Sequence, residues 1–297
     1  MRMKQKVKRK GNLKRKFLFN NVVIIGMGFM GGSLGKTLLE KKIARTVTGA
    51  GRDMKKLKAA LKMKAATDVT DDLDNAGISG ADAVIISVPV KQIPVMFKRI
   101  KKNLGKNTVV TDMGSVKGYI AEHIRKYDTE RCFVGSHPMV GSEKSGVRNS
   151  QAGLFENGVC VVTPEKRSSP VKVKKIIDMW KAAGMITVKM PLNAHDSRAS
   201  GISHLPHFLS FVLVRQAAGV IKDSRKMIGP GFRDATRIAA SDENVWSEIF
   251  ETNKKELLKD IYSFEKECLK LRGAVEKDDF KAVKEYIRKA RILREKI

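Results

Sequence analysis

A chain of 297 residues with 42% hydrophobic content is long enough for one large packed domain or two ordinary ones, which excludes a disordered protein. Its longest apolar runs, such as AVIISVPV, are too short to span a bilayer. Its three cysteines (Cys132, Cys160, Cys268) are odd in number and lack metal-type spacing, so a reduced, cytoplasmic protein without a disulfide framework is expected. Of the net charge of +28, nine charges come from residues 1–16, MRMKQKVKRKGNLKRK, which hold no acid and no apolar signal-peptide stretch, and the remaining 19 are spread over the chain.

That basic run, extended to residue 19, reads as a disordered solubilising tail. The remainder lacks the aromatic interleaving of single-strand binders, so neither nucleic acid nor membrane is the expected partner. From residue 20 the elements come in order. NVVIIG (21–26) is a continuous β-branched run, as in a strand buried on both faces. A glycine-rich turn leads from it into a helix over GKTLLEKK. TVTGAG (46–51) is a second strand, MKKLKAALKMKAA a helix, and ADAVIISVPV (81–90) a third strand. There follow a helix in KQIPVMFKRIKKNL, a strand in TVVTDMG (108–114), a helix in KGYIAEHIRKY and a short strand in RCFVGS. GSHPMVGSEKSG (135–146) has neither helical nor strand periodicity and reads as a polar loop. GVCVVTPE and MITVKM are later strands around the helix PVKVKKIIDMWKAAG. Alternating strands and helices predict an α/β fold, a parallel doubly wound Rossmann sheet over 20–190.

Beyond Met190–Pro191 the strand signals vanish and 3.6-type apolar spacing takes over, so 191–297 is expected to be an all-helical domain. In SDEN, Ser241 is the candidate N-cap, followed by acidic residues in the first turn. The long final helices carry apolar stripes that a second copy would cover, which predicts a homodimer.

Gly26, Gly28 and Gly31 spell GxGxxG at the junction of a strand and a helix, with Phe29 and Met30 inside the motif. The first glycine permits the turn, the second lets a pyrophosphate approach the backbone, and the third allows close helix–strand packing. A nicotinamide dinucleotide is therefore the expected cofactor, with Ser87, Pro89 and Val90 of the loop after the third strand beside it. At the end of the second strand, where an acidic residue would hold the ribose of NAD, the sequence has Gly51 followed by Arg52. A guanidinium there suits a 2′-phosphate, so NADP is favoured; Asp53, close by, keeps NAD open.

Three polar loops follow strands: SVPVKQ, TDMGSVKG and GSHPMVGSEKSG. Convergence on one sheet edge would bring together Ser115, otherwise an N-cap, and His137, otherwise a surface histidine. In the helical part, His204 and His207 are three apart. That spacing could hold a metal, but no HExxH pattern or carboxylate-rich surround supports one, and packing against the cofactor domain is the plainer account. Arg233 and Arg237 flank Asp234 at helical spacing, which makes either a solvated face or an anion pocket. The small, turn-rich neighbours GPGF and TRIAAS favour the pocket.

Taken together, IIGMGFMGGSLG, VIISVPV, TDMGSVKG, GSHPMVGSEKSG, SHLPH and GFRDATRIAASDENVW resemble, in order from residue 21 to about 270, the prephenate/arogenate dehydrogenase family of tyrosine biosynthesis. The resemblance implies a nucleotide-binding domain followed by a helical dimerisation domain. It also implies oxidative decarboxylation of a cyclohexadienyl substrate, with hydride passing to the nicotinamide. By the same resemblance His137 is the base for the substrate hydroxyl and Ser115 orients it. Arg237 grips the ring carboxylate with Arg233 nearby, and His204, His207 and Glu143 line the pocket. Trp246 closes the pocket or simply packs, whereas His123 and His195 match no family position and are expected to be structural or exposed.

Overall fold

The chain, described as a computed structural model, is seen at residues 17–74, 76–141 and 144–296. The basic run 1–16 and Glu143 lie outside the described residues. An eight-stranded sheet, in the order β3-β2-β1-β4-β5-β6-β7-β8, is formed by β1 (Phe19–Ile25), β2 (Ala44–Ala50), β3 (Asp68–Thr70), β4 (Ala83–Ile86), β5 (Val109–Asp112), β6 (Phe133–Pro138), β7 (Val159–Thr163) and β8 (Ile186–Lys189). Strands β1 to β6 are mutually parallel. The connecting helices are α1 (Phe29–Glu40), α2 (Met54–Lys62), α3 (Gln92–Ile100), α4 (Lys117–Ile124) and α5 (Pro170–Ala183). They cover both faces with two apolar clusters, one around Leu34, Phe155 and Trp180, the other around Val84, Ile93 and Phe97. The all-apolar runs of β1 and β4 follow from this burial on both sides.

Three differences from the sequence expectations have physical causes. β7 runs antiparallel to β6, and β8 parallel to β7. A parallel neighbour needs a helical crossover, and the β6–β7 link holds only short 3₁₀ turns (Val147–Asn149, Ala152–Phe155) lying against α1. β3 is three residues long and too short to show a period. GSHP belongs to β6 rather than to a loop: backbone pairing of His137 with Val161 and of Pro138 with Cys160 makes it a strand, which side-chain polarity does not reveal.

The remaining helices are α6 (Leu192–Ala199), α7 (Leu205–Gln216), α8 (Ala218–Ser224), α9 (Pro230–Thr236), α10 (Glu243–Thr252), α11 (Lys254–Glu276) and α12 (Phe280–Arg294). A π-helical turn, Ser200–His204, joins α6 to α7. α10 is capped by Asp242, whose carboxylate accepts from the Asn244 and Val245 N–H groups, and not by Ser241, whose hydroxyl donates to the Ile238 carbonyl. The helical part is fastened to the sheet part at Lys91: its backbone N–H donates to Glu248 and its ammonium pairs with Glu251, both on α10. Tyr262, Leu269, Phe280, Ile287 and Leu293 on α11 and α12 are exposed. Among the described residues no helix is long and apolar enough to cross a membrane.

Candidate active site

The strand order reverses direction between β1 and β4, and there the glycine turn sits. Gly26 has φ of +98°, and a Cβ on it would stand 2.2 Å from the Ser87 carbonyl oxygen. A Cβ on Gly31 would stand 2.0 Å from the Gly26 carbonyl oxygen, so both positions admit only glycine. Gly28 instead faces open space and caps α1 with no side chain. The first helical bond runs from the Gly32 N–H to the Gly28 carbonyl at 2.9 Å, leaving the Phe29, Met30 and Gly31 N–H groups directed out of the helix end. A bare glycine beside three outward N–H groups fits a pyrophosphate. Ser87 and Val88 border this turn and Pro89 beyond them is exposed, whereas Val90 is buried in the core beneath α3 and can offer only backbone. Past β2, Arg52 is exposed, and the Asp53 carboxylate is already engaged in capping α2 through the Lys55 and Lys56 N–H groups at 3.0 and 3.2 Å.

His137 projects from the carboxyl end of β6, on the same edge of the sheet as the glycine turn. Beneath it lies a buried ion pair. The Lys117 ammonium contacts Asp112 and donates to the Ser136 carbonyl at 2.8 Å. The second Asp112 oxygen accepts from the Ser136 N–H at 3.1 Å. Beside it, His137 Nδ1 lies 2.9 Å from His195 Nε2, and His195 Nδ1 lies 2.7 Å from an Asp196 oxygen. Asp196 also accepts from the Lys117 and Gly118 N–H groups at 2.8 and 2.7 Å. It thereby supplies the cap that α4 otherwise lacks, since neither Ser115 nor Val116 provides one.

With one proton on each imidazole, these contacts admit a single arrangement. Although burial opposes it, hydrogen bonds from His195 and from two backbone N–H groups hold the Asp196 carboxyl below its usual range, so it is an acceptor only. In that arrangement His195 Nδ1 carries its proton toward Asp196 and its Nε2 accepts. His137 therefore donates from Nδ1 and keeps a bare lone pair on Nε2. Burial first, then the nearby charges of His195, Lys117 and His204, push the His137 imidazole well below its ordinary value, so it is neutral near pH 7.

The chain of contacts continues into the helical part. The Asn253 amide, at the start of α11, donates to the Asp196 carbonyl at 2.9 Å and lies 3.1 Å from His204 Nδ1. His204 packs edge-on to Trp246, and His207 stacks on the same indole at 3.5 Å between ring centroids. Arg237, at the end of α9, acts on His207 by its charge. His137, His204 and His207 are thus joined in one run of contacts, with Arg237 near enough for its charge to act on His207, and Ser115 lies in the loop two residues ahead of Lys117. Arg233, exposed on α9, enters none of these contacts. His123 stacks on Tyr119 away from the site. His195, passed over in the sequence, is buried at its centre, as are Asp112, Lys117, Asp196 and Asn253. Adjacent His and Asp in NAHDSR were the available signal, but nothing in the local pattern tells which loop they reach.

Burial pulls the His204 imidazole down to about 4. In the unfolded chain it titrates near about 6.5. Between those values the unfolded state binds a proton that the folded state refuses, so stability is full above the upper value and drains away as pH falls. By pH 5 the loss amounts to about 2 kcal/mol from this group. Melting temperatures across that range should fall steeply in the native protein and less in His204→Gln; parallel curves would refute the assignment.

The description "Prephenate dehydrogenase, nucleotide-binding domain" matches residues 34–189, and "Prephenate dehydrogenase, dimerization domain" matches 191–289. The glycine turn lies ahead of the first match and rests on its geometry. A prephenate dehydrogenase of Bacillus subtilis is 30% identical over 279 residues, covering 90% of this chain and 75% of that protein. A cyclohexadienyl dehydrogenase of Zymomonas mobilis is 30% identical over 268 residues, covering 88% and 90%. The solved structure of prephenate dehydrogenase from A. aeolicus, in complex with hydroxyphenyl propionate and NAD+, superposes with a TM-score of 0.86 at 31% identity, covering 93% of this chain and 98% of that one. Two matched domains in the order of the fold, with curated relatives spanning nearly all of it, show that this chain is an oxidoreductase belonging to the prephenate dehydrogenase family.

Proposed function

We propose that the chain oxidatively decarboxylates prephenate to 4-hydroxyphenylpyruvate with NADP as the preferred hydride acceptor, arogenate being the alternative substrate. The observation that carries this is His137, joined through Nδ1 to the His195–Asp196 pair, on the sheet edge that also holds the glycine turn. The nicotinamide, when bound, takes the hydride from the ring carbon that bears the hydroxyl. As that hydride leaves, His137 Nε2 draws the hydroxyl proton, and as CO2 departs and the ring becomes aromatic it returns the proton to the phenolic oxygen. No net proton is released. Ser115 orients the hydroxyl, and the Arg237 guanidinium binds a substrate carboxylate as a fork rather than a point charge. His204, His207 and Trp246 form the wall between them, with Arg233 at its margin, and Glu143 keeps the substrate-binding role that the family resemblance implies. A second copy covers the exposed apolar residues of α11 and α12, consistent with the dimerisation domain. Burial raises the Cys132 and Cys160 thiols, which suits inert groups in a reducing cytoplasm.

The preference for NADP rests on Arg52 standing past β2 next to an Asp53 carboxylate already engaged in capping α2. Arg52→Ala should raise KM for NADP about tenfold, the effect of losing one exposed charge-assisted contact, and leave KM for NAD nearly unchanged. The deciding experiment is steady-state reduction of NADP and NAD with prephenate and with arogenate. Turnover with prephenate and NADP as the best pair supports the proposal in full; no turnover with any pair refutes it.

A further inference from the structure

The mechanism above asks His137 to hold a proton in a place ill suited to a charge. Its ring is neighboured by the Lys117 ammonium, and His204 also stands within electrostatic reach. An imidazolium there would face like charge in a low-dielectric setting, a costly arrangement. One bond away, His195 faces the Asp196 carboxylate at 2.7 Å, itself fixed by two backbone N–H groups of α4. We propose that His195 and Asp196 are positioning residues of the reaction: they fix the Nδ1–H tautomer of His137 and take over, at His195, the positive charge that His137 would otherwise carry.

This inference rests on the proposed function. The step balances in protons. As the hydroxyl proton moves to His137 Nε2, the Nδ1 proton of His137 moves to His195 Nε2, and His195 becomes an imidazolium paired with Asp196. After CO2 leaves, both protons move back and the phenolic oxygen recovers its own. The arrangement follows the logic of a base oriented by a third group, with a second imidazole inserted between base and carboxylate. The charged and titratable groups that act on His137 are His195, Lys117 on α4, which is itself paired with Asp112 on β5, and His204 on the π-turn, which in turn feels Asp260 on α11; Asp196 contacts His195 directly, and among the described residues no other carboxylate does.

The relay spans the two parts of the chain. Asp196 and His195 lie on α6, while the helix that Asp196 caps and the strand that carries His137 belong to the sheet. Docking of the helical part therefore completes the base.

Four measurements test this. His195→Gln can still accept the His137 Nδ1–H through its amide oxygen but cannot take a proton. It should lower kcat about 10²-fold, the lower end of general-base effects, with KM little changed. The double variant His137→Asn/His195→Gln should be no slower than His137→Asn alone, because the two act as one unit. Asp196→Asn should move the acid limb of the kcat/KM profile to lower pH, since the histidine pair loses the carboxylate that favours its charged form. Unchanged kcat in His195→Gln, fully additive losses in the double variant, or an unmoved acid limb would overturn the relay. If the native protein turned over neither substrate, the proposed function would fail and kinetics would be silent, so imidazole ¹⁵N spectra of the free full-length protein decide separately. A protonated Nδ1 and bare Nε2 on His137 support the relay, and the opposite tautomer refutes it.

Discussion

Replacing His137 by Asn is expected to lower kcat by about 10²–10⁴-fold while leaving the fold and KM close to those of the native protein. The asparagine amide can stand where Nδ1 stood and donate to His195 Nε2, so the contact at 2.9 Å is preserved in kind. What disappears is the lone pair on Nε2, the one atom left to accept the substrate's proton. The barrier should rise by about 3–5 kcal/mol, with the residual rate supplied by positioning of substrate and cofactor. Steady-state reduction of the nicotinamide, combined with a melting curve, checks this. A loss of less than tenfold in a folded variant would remove His137 from the chemistry.

The largest effect on stability is expected at Lys117. Its side chain is 1% exposed and that of Asp112 is 0% exposed, and the pair is completed by the Ser136 carbonyl, the Ser136 N–H and the Gly114 N–H. Lys117→Ala leaves a carboxylate buried without its counter-ion, which costs about 3–5 kcal/mol. For a chain of this size the melting temperature should fall by about 10 °C. Removing both charges together, as Asp112→Asn/Lys117→Met, should recover part of that loss, because the stranded charge and not the missing pair is the larger penalty. A double variant no more stable than Lys117→Ala would contradict this account. Ser136 immediately precedes His137, so the ion pair also braces the strand that presents His137.

Several parts of this site were legible in the one-dimensional pattern because each is a local requirement. Gly26 and Gly31 are demanded by backbone close approach within a single turn. His137 stood out as a histidine in a polar, glycine-rich setting, although that setting proved to be the end of β6. The assignment of Ser115 and Ser241 as caps failed for a common reason. A serine before a helix satisfies a statistical preference, but a better acceptor took the role in each case, Asp242 next door and Asp196 from a helix far along the chain.

The order of elements apart from the short β3, the change from alternating to purely helical pattern near Met190, and the glycine turn were determined by sequence alone, since periodicity and turn chemistry are set by neighbours along the chain. Which way β7 runs, and which groups surround His137, were decided only by tertiary structure. Asp112, Lys117, His195, Asp196 and Asn253 look ordinary in sequence, a few polar residues among many. They acquire their character from burial and from one another: a carboxylate held ionised by backbone N–H groups, an imidazole held neutral by desolvation and nearby charge. Those energies depend on distances across the fold, between residues as far apart as His137 and His195 or Asp196 and Asn253, and no spacing within a motif encodes them.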